Sequence, residues 1–216
     1  SAVCRTKLDS LKIHSMNVDG TVFDYGDYSE LKLSLCGEYQ LDNAATVLET
    51  IGVLNDNGFQ IGVDAVREGL SNARWRARFE LLANEPPVVF DGSHNIQGVT
   101  AAAESIKRFF VADEKNKVTL LMGVLADKDY RDMVALLAPL TEKVFTVTSP
   151  SPRALSSKSL AEVYRDFGVD AVSSDSIDDG VAMAYDYAKK EKRPLVMLGS
   201  LYMYGDVYNA FVKIEK

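Results

Sequence analysis

The sequence predicts an α/β protein: a mostly parallel, doubly wound (Rossmann-like) sheet with flanking helices, preceded by a small β-meander plus two helices. Three observations predict it. From about Trp75 onward, short apolar runs alternate with longer stretches whose apolar positions repeat at helical spacing, the pattern of βαβ units. The runs KVTLLMGV and PLVMLGS are apolar almost without a break, as strands covered on both faces must be. Ahead of Trp75, turn residues instead separate short runs at close spacing. The chain therefore divides into residues 1–74 and 75–216.

The elements follow in order. LKIHSM, TVFDY and LKLSLCG are strand-like, with VDG and GDYSE as turns between them. Leu31, Leu33 and Leu35 alternate with Lys32 and Ser34, which marks a half-buried strand. Leu41, Ala44, Ala45, Leu48, Ile51 and Leu54 fall on one side of a helix. Asp42 and Asn43 stand near its expected start and Gly58 near its end. A second helix is predicted over Val63 to Asn72. RFELLAN and PPVVFD then read as strands, and IQGVTAAAESIKRFF as a helix with Ile96, Val99, Ala103, Ile106 and Phe110 in register. The alternation continues with the strand KVTLLMGV, the helix YRDMVALLA closed by Pro139, the strand KVFTVTS and the helix SKSLAEVYRDFG. AVSS is a short strand, DDGVAMAYDYAKKE a helix, PLVMLGS a strand, and Tyr202 to Ile214 a final helix.

Bulk properties narrow the function. Hydrophobic residues make up 47% of 216 and charged residues 25%, the balance of a globular protein with a real core. A net charge of −7 argues against a nucleic-acid surface. It leaves room for an anionic small ligand held by a few local cations. Cys4 and Cys36 lie far apart and form neither a disulfide framework nor a zinc spacing, which favours a reducing compartment. No long apolar span and no signal-peptide pattern occur, so a cytoplasmic location is expected. The chain does not start with Met, consistent with an expression-tag residue at Ser1-Ala2 and a piece of a longer protein.

The chemistry should lie at the carboxyl ends of the strands, where open parallel sheets bind ligands. Those ends read VVF-DGSHN, LMGV-LADKD, FTVT-SPSPRAL and VMLG-SLYMYG. Together they offer Asp91, Ser93, His94, Asn95, Asp127, Lys128, Asp129, Ser149, Arg153 and Ser200. This mixture of carboxylates, cations and hydroxyls suits a charged small ligand. No two glycines are two residues apart, and no Gly-Lys-Ser/Thr occurs. A dinucleotide fingerprint and a phosphate-binding P-loop are both excluded, which disfavours an oxidoreductase of Rossmann type.

The ordered motifs GEYQLDNAATVL, WRARFE, VVFDGSHN, MGVLADKD, TSPSPRAL and LGSLYMYGDV resemble the carboxyl-terminal half of the folylpolyglutamate synthase and dihydrofolate synthase family, within the Mur ligase superfamily. The resemblance implies that residues 1–74 are the end of an ATPase domain and residues 75–216 a Mur-ligase-type carboxyl-terminal domain. It implies ATP and Mg2+, with the magnesium ligands mainly in an amino-terminal domain. L-glutamate and a reduced folate would be the other substrates, with no nucleic-acid or membrane partner and a monomeric state.

On the same resemblance, Asn43, Arg78 and Asp91 contact ATP. His94 and Lys128 are catalytic, Ser149 and Arg153 bind glutamate, and no residue is assigned to a metal. A structural role stands beside each: a helix cap for Asn43, an ion pair for Arg78 and Asp91, a backbone-bonded ring for His94, a solvated loop for Arg153. The family pattern has Pro-Gly before the Arg where this chain has Arg76-Ala77. Ser93 is a milder departure, from Asp-Gly-Ala-His-Asn. The alternatives are a bifunctional dihydrofolate synthase/folylpolyglutamate synthase and a non-catalytic nucleotide or amino-acid binding module.

Overall fold

The computed structural model describes residues 5–111 and 116–215. The chain divides into two compact units, one ending at Arg76 and the other starting at Ala77.

The first unit holds an antiparallel sheet of β1 (Leu11–Asn17), β2 (Gly20–Tyr25) and β3 (Tyr28–Leu33), followed by helices α1 (Tyr39–Asp56) and α2 (Val63–Ser71). Phe23, Tyr25, Leu31 and Leu33 of the sheet pack with Leu41, Ala44, Ala45 and Leu48 of α1 and Val66 and Leu70 of α2. Of the apolar positions read from the sequence, Leu31, Leu33, Leu41, Ala44, Ala45 and Leu48 build this core, and Leu35 and Ile51 pack against it partly buried. The helix begins at Tyr39 with Asp42 in its first turn, near the expected start, and Glu38 rather than Asn43 is its N-cap. Cys36 is buried, and burial pushes its thiol up to about 12. It stays protonated and inert at neutral pH. Cys4 lies outside the described residues.

The second unit is a six-stranded sheet made of β4 (Glu80–Asn84), β5 (Pro87–Asp91), β6 (Val118–Met122), β7 (Thr141–Thr146), β8 (Asp170–Ser173) and β9 (Leu195–Leu198). The strand order is β4-β5-β9-β6-β7-β8. Edge strand β4 is antiparallel to β5, and every other neighbouring pair is parallel. Helices α3 (Ile96–Phe110), α4 (Tyr130–Leu137), α5 (Ser157–Asp166), α6 (Ile177–Glu191) and α7 (Tyr204–Glu215) complete it. A short 3-10 turn at Leu201–Met203 precedes α7, so the last helix starts two residues later than the sequence suggests.

Successive strand residues point to opposite faces, and both faces are apolar here. Phe90, Leu121, Phe145, Val147 and Met197 cluster with Val181, Ala184 and Ala188 of α6 and with Val207, Ala210 and Phe211 of α7. The alternate positions Val89, Leu120, Met122, Val144, Val196 and Leu198 are also buried. On that second face the Tyr164 hydroxyl of α5 donates to the Met122 sulfur at 2.9 Å.

The topology positions the site. The chain steps outward through β5, β6, β7 and β8, and α6 then returns it so that β9 inserts between β5 and β6. Winding reverses at that insertion, the place where open α/β sheets bind ligands, past the carboxyl ends of β5, β9 and β6. No helix among the described residues is long and apolar enough to cross a membrane.

Candidate functional site

The loops that leave the strands are tied to one another. The Gly199 N–H, just past β9, donates to the Ser93 carbonyl past β5 at 3.1 Å. The Gly123 N–H, past β6, donates to the Leu198 carbonyl at 3.4 Å, and the Val147 N–H, past β7, to the Met122 carbonyl at 2.9 Å. Further out, the loops after β6 and β7 are laced by Leu155 N–H to the Val124 carbonyl at 2.9 Å and Ala126 N–H to the Arg153 carbonyl at 2.7 Å. Four strand-end loops thus form one connected rim.

Arg78 is mounted on the β5 side of this rim. Its neighbours Ala77 (φ 58°) and Phe79 (φ 44°) both adopt the left-handed region and are almost fully buried, at 1% exposure each. Such a conformation in a non-glycine residue costs on the order of 1–3 kcal/mol and needs compensation. Backbone hydrogen bonds supply it. Ala77 N–H donates to Glu80 Oε2 at 2.7 Å, Phe79 N–H to Asp91 Oδ2 at 2.8 Å, and Gly92 N–H to the Ala77 carbonyl at 2.8 Å. The Phe79 ring packs between Phe109 and Phe110 of α3, with centroids 5.9 and 6.2 Å away. The guanidinium of Arg78 lies over Gly92: a Cβ there would stand 3.1 Å from Nη1, and 2.8 Å from Leu201 Cδ1.

The magnitudes explain why alanine is tolerated at position 77. Glycine would relieve about 1–2 kcal/mol of left-handed strain. It would forfeit about 0.8 kcal/mol of buried methyl and about 0.5–1 kcal/mol of chain entropy. Ala77→Gly is therefore expected to change unfolding free energy by less than about 0.5 kcal/mol in a urea titration.

Asp91 does not face outward as a free ligand group. It is 2% exposed, and Oδ1 accepts from the Ser93 N–H at 2.9 Å and from the Ser93 hydroxyl, while Oδ2 holds Phe79. Both carboxylate oxygens accept hydrogen bonds from the protein, which shapes the loop. His94 is half-buried. Its Nδ1 lies 2.9 Å from the Gly92 carbonyl; a carbonyl only accepts, so Nδ1 carries the proton and Nε2 is left as an acceptor. Asn95 is the N-cap of α3 and accepts from Gly98 N–H at 2.8 Å.

Past β6, the Lys128 side chain is half-buried, and its ammonium has no hydrogen-bond or ion-pair partner among the described residues. Asp129 sits at the N-cap of α4 without a side-chain cap bond. Past β7, Ser149 is 2% exposed and its hydroxyl donates to Ser200 Oγ at 3.1 Å, which straps two loops together. Arg153 is exposed and pairs with Asp127 Oδ2 at 2.8 Å. An exposed pair of this kind contributes about 0–1 kcal/mol. Asp127→Ala should therefore cost no more than about 1 kcal/mol at low salt and nothing measurable in 1 M NaCl, where screening acts within ~3 Å.

Asn43 belongs to the other unit. It is exposed, and its Nδ2 donates to the buried Gln40 Oε1 at 3.0 Å. Among the described residues no group of three or more His, Cys, Asp or Glu side chains is placed to hold a metal ion. The sequence reading missed Glu80; the signal available for it was a carboxylate two residues from Arg78.

The family described as "Mur ligase, glutamate ligase domain" matches residues 77–201. The chain is 32% identical over 182 residues to the dihydrofolate synthase/folylpolyglutamate synthase of Bacillus subtilis (strain 168), covering 83% of this chain and 41% of that protein. It is 30% identical to the folylpolyglutamate synthase of Lacticaseibacillus casei, covering 89% and 43%. Among solved structures, Mycobacterium tuberculosis folylpolyglutamate synthase complexed with ADP and AMPPCP superposes with a TM-score of 0.80 at 27% identity, over 94% of this chain and 48% of that one. The Thermotoga maritima folylpolyglutamate synthase gives 0.76 at 28%, over 95% and 47%. The chain thus spans less than half the length of these relatives.

Fold and rim together define a doubly wound α/β domain whose strand-end loops carry Arg78, His94, Lys128 and Arg153. The chain belongs to the Mur ligase family, through its glutamate ligase domain, and its relatives there are the folylpolyglutamate and dihydrofolate synthases.

Proposed function

We propose that this chain is the carboxyl-terminal part of an ATP-dependent ligase that adds L-glutamate to the γ-carboxylate of a reduced folate through an acyl phosphate. The terminal phosphoryl group of ATP passes to a carboxylate oxygen. The glutamate nitrogen then attacks the carbonyl carbon, phosphate leaves with the electron pair of the C–O bond, and the nitrogen gives up a proton as the amide forms. Catalysis of this kind rests on placing charge and aligning reactants.

In this reading Arg78 sets its planar fork against the nucleotide phosphates. Lys128 adds a movable positive charge as phosphoryl transfer proceeds. His94 has its Nδ1 proton anchored, so Nε2 can take a proton from the attacking amine. Arg153 exchanges Asp127 for a carboxylate of glutamate, and Asp127 is then released to meet the ammonium group. Asp91 and Ser149 hold the loops. ATP and Mg2+ are the reaction's other requirements, with the metal held by groups beyond the described residues. The ligase is placed in the cytoplasm, as a monomer.

The observation that supports this most is the laced rim of four loops at the β9 insertion, which gathers Arg78, His94 and the Arg153–Asp127 pair within the stretch matched as a glutamate ligase domain. The test is an ADP titration of the isotope-labelled chain followed by amide shifts. Movement centred on Gly92, His94 and Lys128 is expected; shifts confined to the opposite edge of the sheet, or none at millimolar ADP, reject the reading. The sequence has no P-loop, so the chain alone should release no phosphate from ATP. A supplied phosphate-loop domain from a relative should restore folate-dependent turnover. The name of the Bacillus subtilis relative favours a second reading, a dual enzyme that also uses dihydropteroate.

A further inference from the structure

We infer that Glu80, held by Tyr204, is a positioning residue that aims Arg78 at the ligand. This rests on the reading above of Arg78 as a phosphate contact. Glu80 Oε2 receives two donors, the Ala77 N–H at 2.7 Å and the Tyr204 hydroxyl at 2.9 Å. Tyr204 itself is set by its ring, which stands edge-on to Phe90 of β5 at 5.1 Å and against Tyr208 at 5.8 Å. Glu80 thus links the start of α7, and through Phe90 the site-bearing strand β5, to the residue just ahead of Arg78.

The geometry shows why such a clamp is needed. Ala77 and Phe79 flank Arg78, both in the left-handed region and both buried. With those two side chains committed inward, the intervening Arg78 is directed toward the rim. Left alone, Ala77 and Phe79 would relax toward the extended region, and the Arg78 Cα would swing with them. One carboxylate opposes each relaxation: Glu80 on the Ala77 N–H and Asp91 on the Phe79 N–H. Asp91 lies within the loop it shapes, whereas Glu80 and Tyr204 act from outside it. They affect the ligand only through the direction of Arg78.

The test uses the full chain, with ADP as probe, and two readouts. The first is the 15N heteronuclear NOE of the Arg78 Nε–Hε group, its signal assigned by its loss in Arg78→Lys. Tyr204→Phe keeps the ring against Phe90 and removes only the hydroxyl. It should lower this NOE while leaving the amide shifts of β6 and β7 in place. Glu80→Gln, which keeps shape and one acceptor, should fall between Tyr204→Phe and the parent.

The second readout is ADP affinity. Loss of one hydrogen bond that orients a charged group should weaken binding about five-fold, and the loss should vanish when Tyr204→Phe is made on the R78K background. Equal weakening on both backgrounds would mean that Tyr204 supports the fold generally, and overturns the inference. An unchanged NOE in Tyr204→Phe overturns it as well. If R78K leaves ADP affinity unaltered, the nucleotide role of Arg78 fails, and the NOE alone then decides whether the clamp exists.

Discussion

Gly199→Ala should be the most damaging single-methyl change in the second unit, with an expected loss of about 3–5 kcal/mol. Gly199 follows β9 at φ 113°, a backbone conformation that glycine reaches freely and an L side chain does not. An added Cβ would stand 2.5 Å from the Gly123 carbonyl oxygen and 3.0 Å from Met122 Cγ. The first obstacle is backbone, anchored by the Gly123 N–H bond back to Leu198, so it cannot turn aside as a flexible side chain would. Backbone strain of about 1–3 kcal/mol and overpacking of about 1–3 kcal/mol act together. For a chain of this size each kcal/mol lowers Tm by roughly 2–4 °C, so a drop of about 10 °C is expected by far-UV circular dichroism. The bond from Gly199 N–H to Ser93 would be strained at the same time. ADP-induced shifts at His94 should therefore weaken even below the melting range. A loss under about 1 kcal/mol would mean that β6 and β9 part easily at this end, and that this end of the sheet is not a rigid seat.

Much of this arrangement was legible in the sequence, for definable reasons. Burial on both faces left β6 and β9 as apolar runs, and helical spacing exposed α3 and α6; each is a local pattern. The insertion of β9 between β5 and β6 was not legible, because it depends on which strands pair after α6 carries the chain back across the sheet. The cap of α1 was not legible for a different reason. Asn43 is of a kind that often caps helices, yet Gly37 and Glu38 already turn the chain in, with the Gln40 N–H bonding the Gly37 carbonyl at 3.0 Å.

The site shows the same division between local and distant information. His94, Lys128 and Arg153 were legible as candidates because they follow strand ends. Asp91 and Ser149 stand there too, but their side chains answer to distant partners, Phe79 and Ser200, that no local pattern reveals. Glu80 was passed over because nothing in RFE announces that Ala77 and Phe79 are left-handed.

Asp91→Ala is expected to cost about 3–5 kcal/mol, the range for stripping a buried, fully bonded charged group of its network. The carboxylate satisfies three donors: the Phe79 N–H, the Ser93 N–H and the Ser93 hydroxyl. Alanine would leave the two N–H groups facing an apolar gap, at about 1–3 kcal/mol each, and would release the strained backbone at Phe79. The informative variant is Asp91→Asn. An amide has one accepting oxygen, so whichever way it turns, its NH2 must oppose a backbone N–H donor. It should cost about 2–3 kcal/mol despite near-identical shape. Ser93→Ala removes only one donor and should cost about 1 kcal/mol. Urea unfolding of the three variants should thus rank Asp91→Ala above Asp91→Asn above Ser93→Ala. The ranking separates two roles for Asp91. A carboxylate that serves as a ligand contact would tolerate the amide in the absence of ligand, and Asp91→Asn would then unfold within about 0.5 kcal/mol of the parent while losing ADP binding. A carboxylate that holds the Arg78 mount would lose stability first, and with it the seat on which nucleotide binding depends.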